Sequence, residues 1–249
     1  MEIVEDNCFY PDDILYFDPS SMGFKKQELW VSNRLNCWFV MPKAQQKNAI
    51  IVHLHGNAEN MTSHITGLIF LLEMGYPLFA FDYSGYGKSK GRPTLAGIQR
   101  DAEEVFDYIH KRPEVFGNII FGFGQSMGAY TLARILPSIP WLKGAVLEAG
   151  LTSFYDLFRE AYPQYSCRVP EKGLSTLDTL INSHVPKLFI HGTKDEVVPY
   201  SHSMKMYKIA AGPKDLLILD GVGHIDAMAT VKVKDYVSKV VSFIEEHMG

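Results

Sequence analysis

From residue 49 onward the chain alternates short apolar runs with longer amphipathic ones. The short runs are Ala49–Leu54, Pro77–Asp82, Asn118–Phe123, Lys143–Glu148, Lys187–His191 and Asp215–Asp220. They are apolar with little alternation, which suits strands covered on both faces. Ahead of them, Gln27–Ser32 and Cys37–Met41 read as a hairpin joined by Asn33–Asn36. Helical patterns fill the gaps. Thr94–Arg112 is the clearest, with Leu95, Ile98, Ala102, Val105, Phe106 and Ile109 on one stripe between Pro93 and Pro113. Met61–Met74, Met127–Leu136, Ser201–Ala211 and Val231–His247 supply the others. This alternation predicts an α/β fold: a mostly parallel sheet, helices on both faces and right-handed crossovers. The irregular stretch Tyr155–Asn182 contains Pro163 and Pro170 and separates two predicted strands. It is expected to form a short lid over the strand ends. No repeat or linker divides the chain, so a single domain over residues 1–249 is expected.

Composition narrows the function. The chain has 249 residues, 47% hydrophobic and 21% charged, an ordinary globular balance. Net charge is −4 with both signs scattered, so no nucleic-acid surface is expected. The acidic N-terminus lacks a secretory signal pattern. The apolar run 65–74 is too short to span a bilayer, leaving peripheral contact as the one membrane role open. Cys8, Cys37 and Cys167 form no C-x-x-C pair, which argues against a disulfide framework or zinc and for a reducing cytoplasm. Oligomeric state is not readable.

One turn carries the candidate chemistry. Phe121–Gly128 reads FGFGQSMG. As G-x-G-x-x-G it would bind a dinucleotide, with Glu148 placed to hold the ribose, but the third glycine position holds Met127. As G-x-S-x-G it would present Ser126 as a nucleophile between a strand and a helix. A serine hydroxyl needs a base, and here the acid and histidine should follow it in chain order. Asp195 follows the strand Lys187–His191, and His224 follows Asp215–Asp220 on a glycine-rich loop. An oxyanion hole would use the Met127 N–H and one from His55-Gly56-Asn57-Ala58, with Asn57 and Ala58 both eligible. Four elements agree, so the hydrolase reading leads.

Other residues invite competing roles. Glu148 also ends a strand and competes with Asp195 as the acid; Asp226 reads as a local or solvated group. His191 reads as structural. His53 and His55 lie on one strand face and would suit a metal, but no third ligand is evident, so packing or hydrogen bonding is favoured. His64, His110, His184, His202 and His247 read as solvated or partly buried. Gly85-Tyr86-Gly87-Lys88-Ser89 fails as a phosphate loop because Asp82 stands where that motif needs glycine, and Asp82 is expected to hydrogen-bond this loop.

HLHGNAEN (53–60), FDYSGYGKSKGRPT (81–94), GQSMG (124–128), LEAGLTSFYDL (147–157), HGTKDEVVP (191–199) and DGVGHIDA (220–227) resemble the α/β-hydrolase superfamily. More narrowly, they resemble the Bem46-like serine hydrolases. The resemblance covers about residues 25–245. It implies an eight-stranded sheet, a Ser126–Asp195–His224 triad and an oxyanion hole from the backbone around Asn57 and at Met127. It implies cleavage of esters, lipid esters or acyl-thioesters, with no cofactor and no metal. Asn33–Asn36 lacks the Asp-Gly usual in that hairpin, and the short 155–182 segment leaves no large cap domain. A dinucleotide-binding module and a non-catalytic protein on this scaffold are the alternatives.

Overall fold

The computed structural model describes residues 8–43, 46–163 and 174–249. Eight strands build one sheet: β1 Lys25–Val31, β2 Leu35–Met41, β3 Ile50–Leu54, β4 Leu78–Phe81, β5 Ile120–Gln125, β6 Gly144–Glu148, β7 Lys187–Gly192 and β8 Lys214–Leu219. Their spatial order is β1-β2-β4-β3-β5-β6-β7-β8. β2 runs antiparallel to β1 and β4, and every other neighbouring pair is parallel.

Two buried clusters sit on opposite faces of this sheet. Along β3, Ile50, Val52 and Leu54 join one cluster while Ile51 joins the other. Along β4, Phe79 and Phe81 join the first, and Leu78 and Ala80 the second. Each face needs apolar residues, which is why these strands show no alternation. The helix Leu95–His110 buries Ile98, Ala102, Val105, Phe106 and Ile109 in the first cluster. Burying each of the larger side chains stabilises by roughly 1.5–3 kcal/mol relative to leaving it in water. Thr94 caps this helix by accepting the Gly97 N–H. The helix Val233–His247 covers the other face through Tyr236, Val240, Phe243 and Ile244.

Several boundaries move. The hairpin turns at Ser32 and Asn33, with φ of 52° and 53°, and Val31 already pairs with Leu35. The turn is therefore Ser32–Arg34, and Asn36 lies inside β2. The expected helix Met61–Met74 divides into Met61–His64, a 3-10 turn Ile65–Leu68 and Ile69–Glu73. Gly67 lies at the break, where helix propensity is lowest. The expected lid contains two helices, Phe154–Ala161 and Thr176–Leu180, each capped by the serine before it. Cys167 and Pro170, within that segment, lie outside the described residues. A two-residue parallel pair, Tyr10–Pro11 with Ala58–Glu59, lays the N-terminal strap beside the loop after β3. No described helix is long and apolar enough to cross a membrane.

Candidate active site

Ser126 follows β5 directly and opens the helix Met127–Ile135. Its backbone is held at φ 55°, ψ −115°, a strained conformation for a residue with a side chain. The neighbouring backbone packs closely against this turn. A Cβ at Gly128 would lie 1.9 Å from Leu54 O, and one at Gly124 would lie 2.5 Å from Gly128 O. The two glycines let β5, the helix and β3 meet, and Ser126 N–H donates to Glu148 O at 2.8 Å. Gly122 faces the side chain of Leu132, so it serves helix–sheet packing.

The residue before the serine is braced. His53 Nε2 donates to Gln125 Oε1 at 3.1 Å, and Gln125 Nε2 donates to Glu148 Oε2 at 2.9 Å. Tyr236 OH donates to the same carboxylate oxygen at 3.0 Å. Burial raises the Glu148 pKa against these hydrogen bonds. Its side-chain hydrogen bonds go to Gln125 and Tyr236, whereas His224 pairs with Asp195.

The loops after β7 and β8 bring Asp195 and His224 together. His224 Nδ1 lies 2.7 Å from Asp195 Oδ2. Asp195 Oδ1 accepts the N–H groups of Val197 at 2.9 Å and Val198 at 2.8 Å. His191 Nε2 also reaches Oδ2, at 3.0 Å. Burial alone would raise the Asp195 pKa. The bonds from His191 and His224, with the Val198 N–H, outweigh it and hold the carboxyl well below the usual range. With Nδ1–H directed at Asp195, His224 keeps Nε2 for another partner. Its side chain is 18% exposed, and Ile225 beside it adopts φ 50°, rare for a β-branched residue. Among the described residues no hydrogen bond joins the Ser126 hydroxyl to His224; such bonds often tighten only with substrate present. Asp226 is exposed.

Asn57, on the loop after β3, is fixed by its surroundings. Its side-chain amide donates to Cys8 O at 2.6 Å. Tyr86 OH lies 2.8 Å from Asn57 O and 2.9 Å from Asn57 Oδ1. Among the described residues, neither the Asn57 N–H nor the Met127 N–H has a hydrogen-bond partner. The glycine loop 85–89 thus serves the site through Tyr86, a role invisible in the motif.

Beneath that loop, His55 Nδ1–H donates to Gly56 O at 2.8 Å, and its Nε2 faces Asp82 Oδ1 at 3.4 Å. Asp82 Oδ1 accepts the Met61 N–H at 2.7 Å, so the carboxylate bonds a neighbouring segment and packs against Gly87. Its backbone carbonyl does reach the loop, accepting from Ser89 Oγ. Burial pushes the Asp82 pKa up to about 7 and the His55 pKa well down, so both groups favour neutral forms. A raised carboxyl pKa gives stability that is full below pH 3.8 and lost as pH rises through about 7. Thermal melts should therefore show Asp82→Asn gaining on the parent between pH 5 and pH 8. A difference independent of pH would rule out the neutral carboxyl.

The histidines beside the site have protein partners. His202 is wholly buried, contrary to expectation, with Nδ1 accepting the Thr152 N–H. His53 bonds Gln125, and no group of three metal-ligating side chains assembles among the described residues.

An apolar cavity of about 270 Å³ links the loops. Asn57, Phe154, Leu157, Phe158, Tyr162 and Val197 line it together with Cys8 and Tyr10. A cavity of about 310 Å³ on the far side of the glycine loop is rimmed by Asp18, Lys26, Glu28 and Lys88 and includes none of Asn57, Ser126, Asp195 or His224.

Comparison with known proteins agrees with this architecture. A family model described as serine aminopeptidase, S33, matches residues 45–165. The uncharacterized protein YfhR of Escherichia coli K12 is 31% identical over 242 residues, covering 95% of this chain and 85% of that one. Human alpha/beta hydrolase domain-containing protein 17B is 28% identical over 220 residues, covering 87% and 73%. The esterase Pf2001 of Pyrococcus furiosus superposes with a TM-score of 0.81 at 19% identity, over 96% of this chain and 97% of that one. Est1E of Butyrivibrio proteoclasticus, solved with ferulic acid bound, gives 0.70 at 20% identity, over 89% and 98%. The Bem46-like resemblance is compatible with these relatives, which support a hydrolase. The chain belongs to the α/β-hydrolase superfamily.

Proposed function

We propose that the chain is a cofactor-free serine hydrolase cleaving carboxylic esters or thioesters with an apolar acyl or aryl group. The observation that carries this reading is the strained Ser126 together with a part-buried Asp195–His224 pair bonded at 2.7 Å, all three residues following the C-terminal ends of parallel strands. In this reading His224 Nε2 takes the Ser126 proton as the hydroxyl attacks the carbonyl. Asp195 holds the imidazole tautomer and stabilises its cation. The N–H groups of Asn57 and Met127 receive the oxyanion, and removing one such donor typically costs about 10²- to 10³-fold in kcat. His224 returns the proton to the leaving group, and water repeats the cycle on the acyl-enzyme.

The apolar cavity beside Asn57 and Val197 supports an acyl or aryl occupant. Cys37, buried and in no disulfide among the described residues, supports a reducing, cytoplasmic setting.

The test is turnover of p-nitrophenyl esters and acyl-thioesters from acetyl to palmitoyl, beside labelling by a fluorophosphonate. The expected outcome is stoichiometric labelling and kcat/KM rising with chain length until the cavity is filled. A protein that neither labels nor turns over any ester would instead be a binding scaffold.

A further inference from the structure

Two histidines converge on one oxygen. Asp195 Oδ2 lies 2.7 Å from His224 Nδ1 and 3.0 Å from His191 Nε2. His191 is on β7, its side chain fully buried, and its Nδ1 lies 2.7 Å from the hydroxyl of Ser203 on the helix Ser201–Ile209. Its Nε2 is also 2.8 Å from Val198 O.

These partners assign the ring's proton. A carboxylate and a backbone carbonyl only accept, so Nε2 is the donor. A hydroxyl both donates and accepts, so Ser203 donates to Nδ1. Ser203, His191, Asp195 and His224 thus form one chain of hydrogen bonds that meets the His224 imidazole at Nδ1.

We propose that His191 is a positioning residue for the hydrolysis, a role beyond the structural one its sequence context suggests. It fixes the rotation of the Asp195 carboxyl so that Oδ2 stays on His224. The backbone N–H groups of Val197 and Val198 hold Oδ1, and His191 holds Oδ2, so neither oxygen is free to swing. Loss of His191 leaves Oδ2 with His224 as its one side-chain partner and Val198 O without its donor. The imidazolium formed in the transition state is then less well oriented and less well stabilised. The apolar cavity beside Asn57 is not lined by His191, so binding of an acyl group there should be spared. The proposal rests on Ser126, Asp195 and His224 being the catalytic set.

The experiment is steady-state hydrolysis of p-nitrophenyl butyrate by full-length His191→Leu, His191→Gln and Ser203→Ala, beside the parent and Ser126→Ala. His191→Leu should lose about 10- to 100-fold in kcat with KM little changed, the range seen when hydrogen-bond partners that orient metal-ligating residues are removed. In His191→Gln the side-chain amide nitrogen takes the place of Nε2 and should recover most of that loss, which a merely space-filling role would not allow. Ser203→Ala removes the donor that sets the tautomer and should show a smaller fall in kcat. Parent-like kcat in His191→Leu, or a glutamine variant no better than the leucine one, overturns the proposal. If His191→Leu gives no cooperative melt, Ser203→Ala decides, and an unchanged kcat there overturns it. Retained turnover in Ser126→Ala is a separate outcome that removes the catalytic reading itself.

Discussion

Ser126→Ala is expected to lower ester turnover by about 10⁴- to 10⁶-fold, equivalent to about 5–8 kcal/mol of transition-state stabilisation. The size follows from what the hydroxyl does in the proposed reaction. It is the atom that bonds to the acyl carbon, and no other described side chain on the turn can replace it. The fold should tolerate the change. Alanine is also an L residue, so the strain at φ 55° is unchanged, and the backbone N–H still donates to Glu148 O. Melting temperature should stay within a few degrees of the parent. Paired kinetics and melts separate the two effects. An alanine variant that still reacts stoichiometrically with a fluorophosphonate would show that another residue is the nucleophile.

Gly128→Ala should give the larger stability loss, on the order of 3 kcal/mol or more. The added Cβ would sit 1.9 Å from Leu54 O, 2.5 Å from Leu54 C and 2.7 Å from His55 O. All three are backbone atoms at the end of β3, so no rotamer change relieves the clash. The helix must lift from the sheet, or β3 must shift together with the loop that carries Asn57. For a chain of this size the loss corresponds to a melting temperature lower by about 6–12 °C. Gly67→Ala is the natural control, because its Cβ would meet nothing nearer than Gln125 Nε2 at 3.7 Å. It should be neutral or slightly stabilising, since alanine favours helical backbone. Equal melts for the two variants would contradict the close packing of helix on strand.

Much of this architecture is legible in the sequence because burial on two faces leaves a simple trace. Ile50 to Leu54 is apolar except for His53, with Ile50, Val52 and Leu54 entering one core and Ile51 the other. The candidate site is legible for a related reason: Gly124, Ser126 and Gly128 are close in sequence, and Asp195 and His224 each follow a strand. Boundaries are less so. β5 runs on to Gln125, past the last apolar residue, because its polar end pairs with Glu148. The broken helix at Gly67 and the turn at Ser32 depend on backbone angles that hydrophobic periodicity does not encode. Least visible are the braces. Tyr86 reaches Asn57 across 29 positions, and His53 reaches Gln125 across 72. Such bonds join residues that share no local pattern, so only the folded chain reveals them.

The sheet order also gives activity and fold different thermal fragilities. His224 is carried by the loop after β8, which among the described residues is an edge strand paired with β7 alone and half-buried along five of its six residues. Ser126 is carried by β5, at the fully buried centre. An edge strand with one neighbour opens at a lower free energy than the sheet as a whole. Heating should therefore separate His224 from Ser126 before the core yields, and under the proposed reaction inactivation should precede the loss of secondary structure. Reinforcing β8 and its covering helix Val233–His247 should extend working lifetime without touching Ser126, Asp195 or His224.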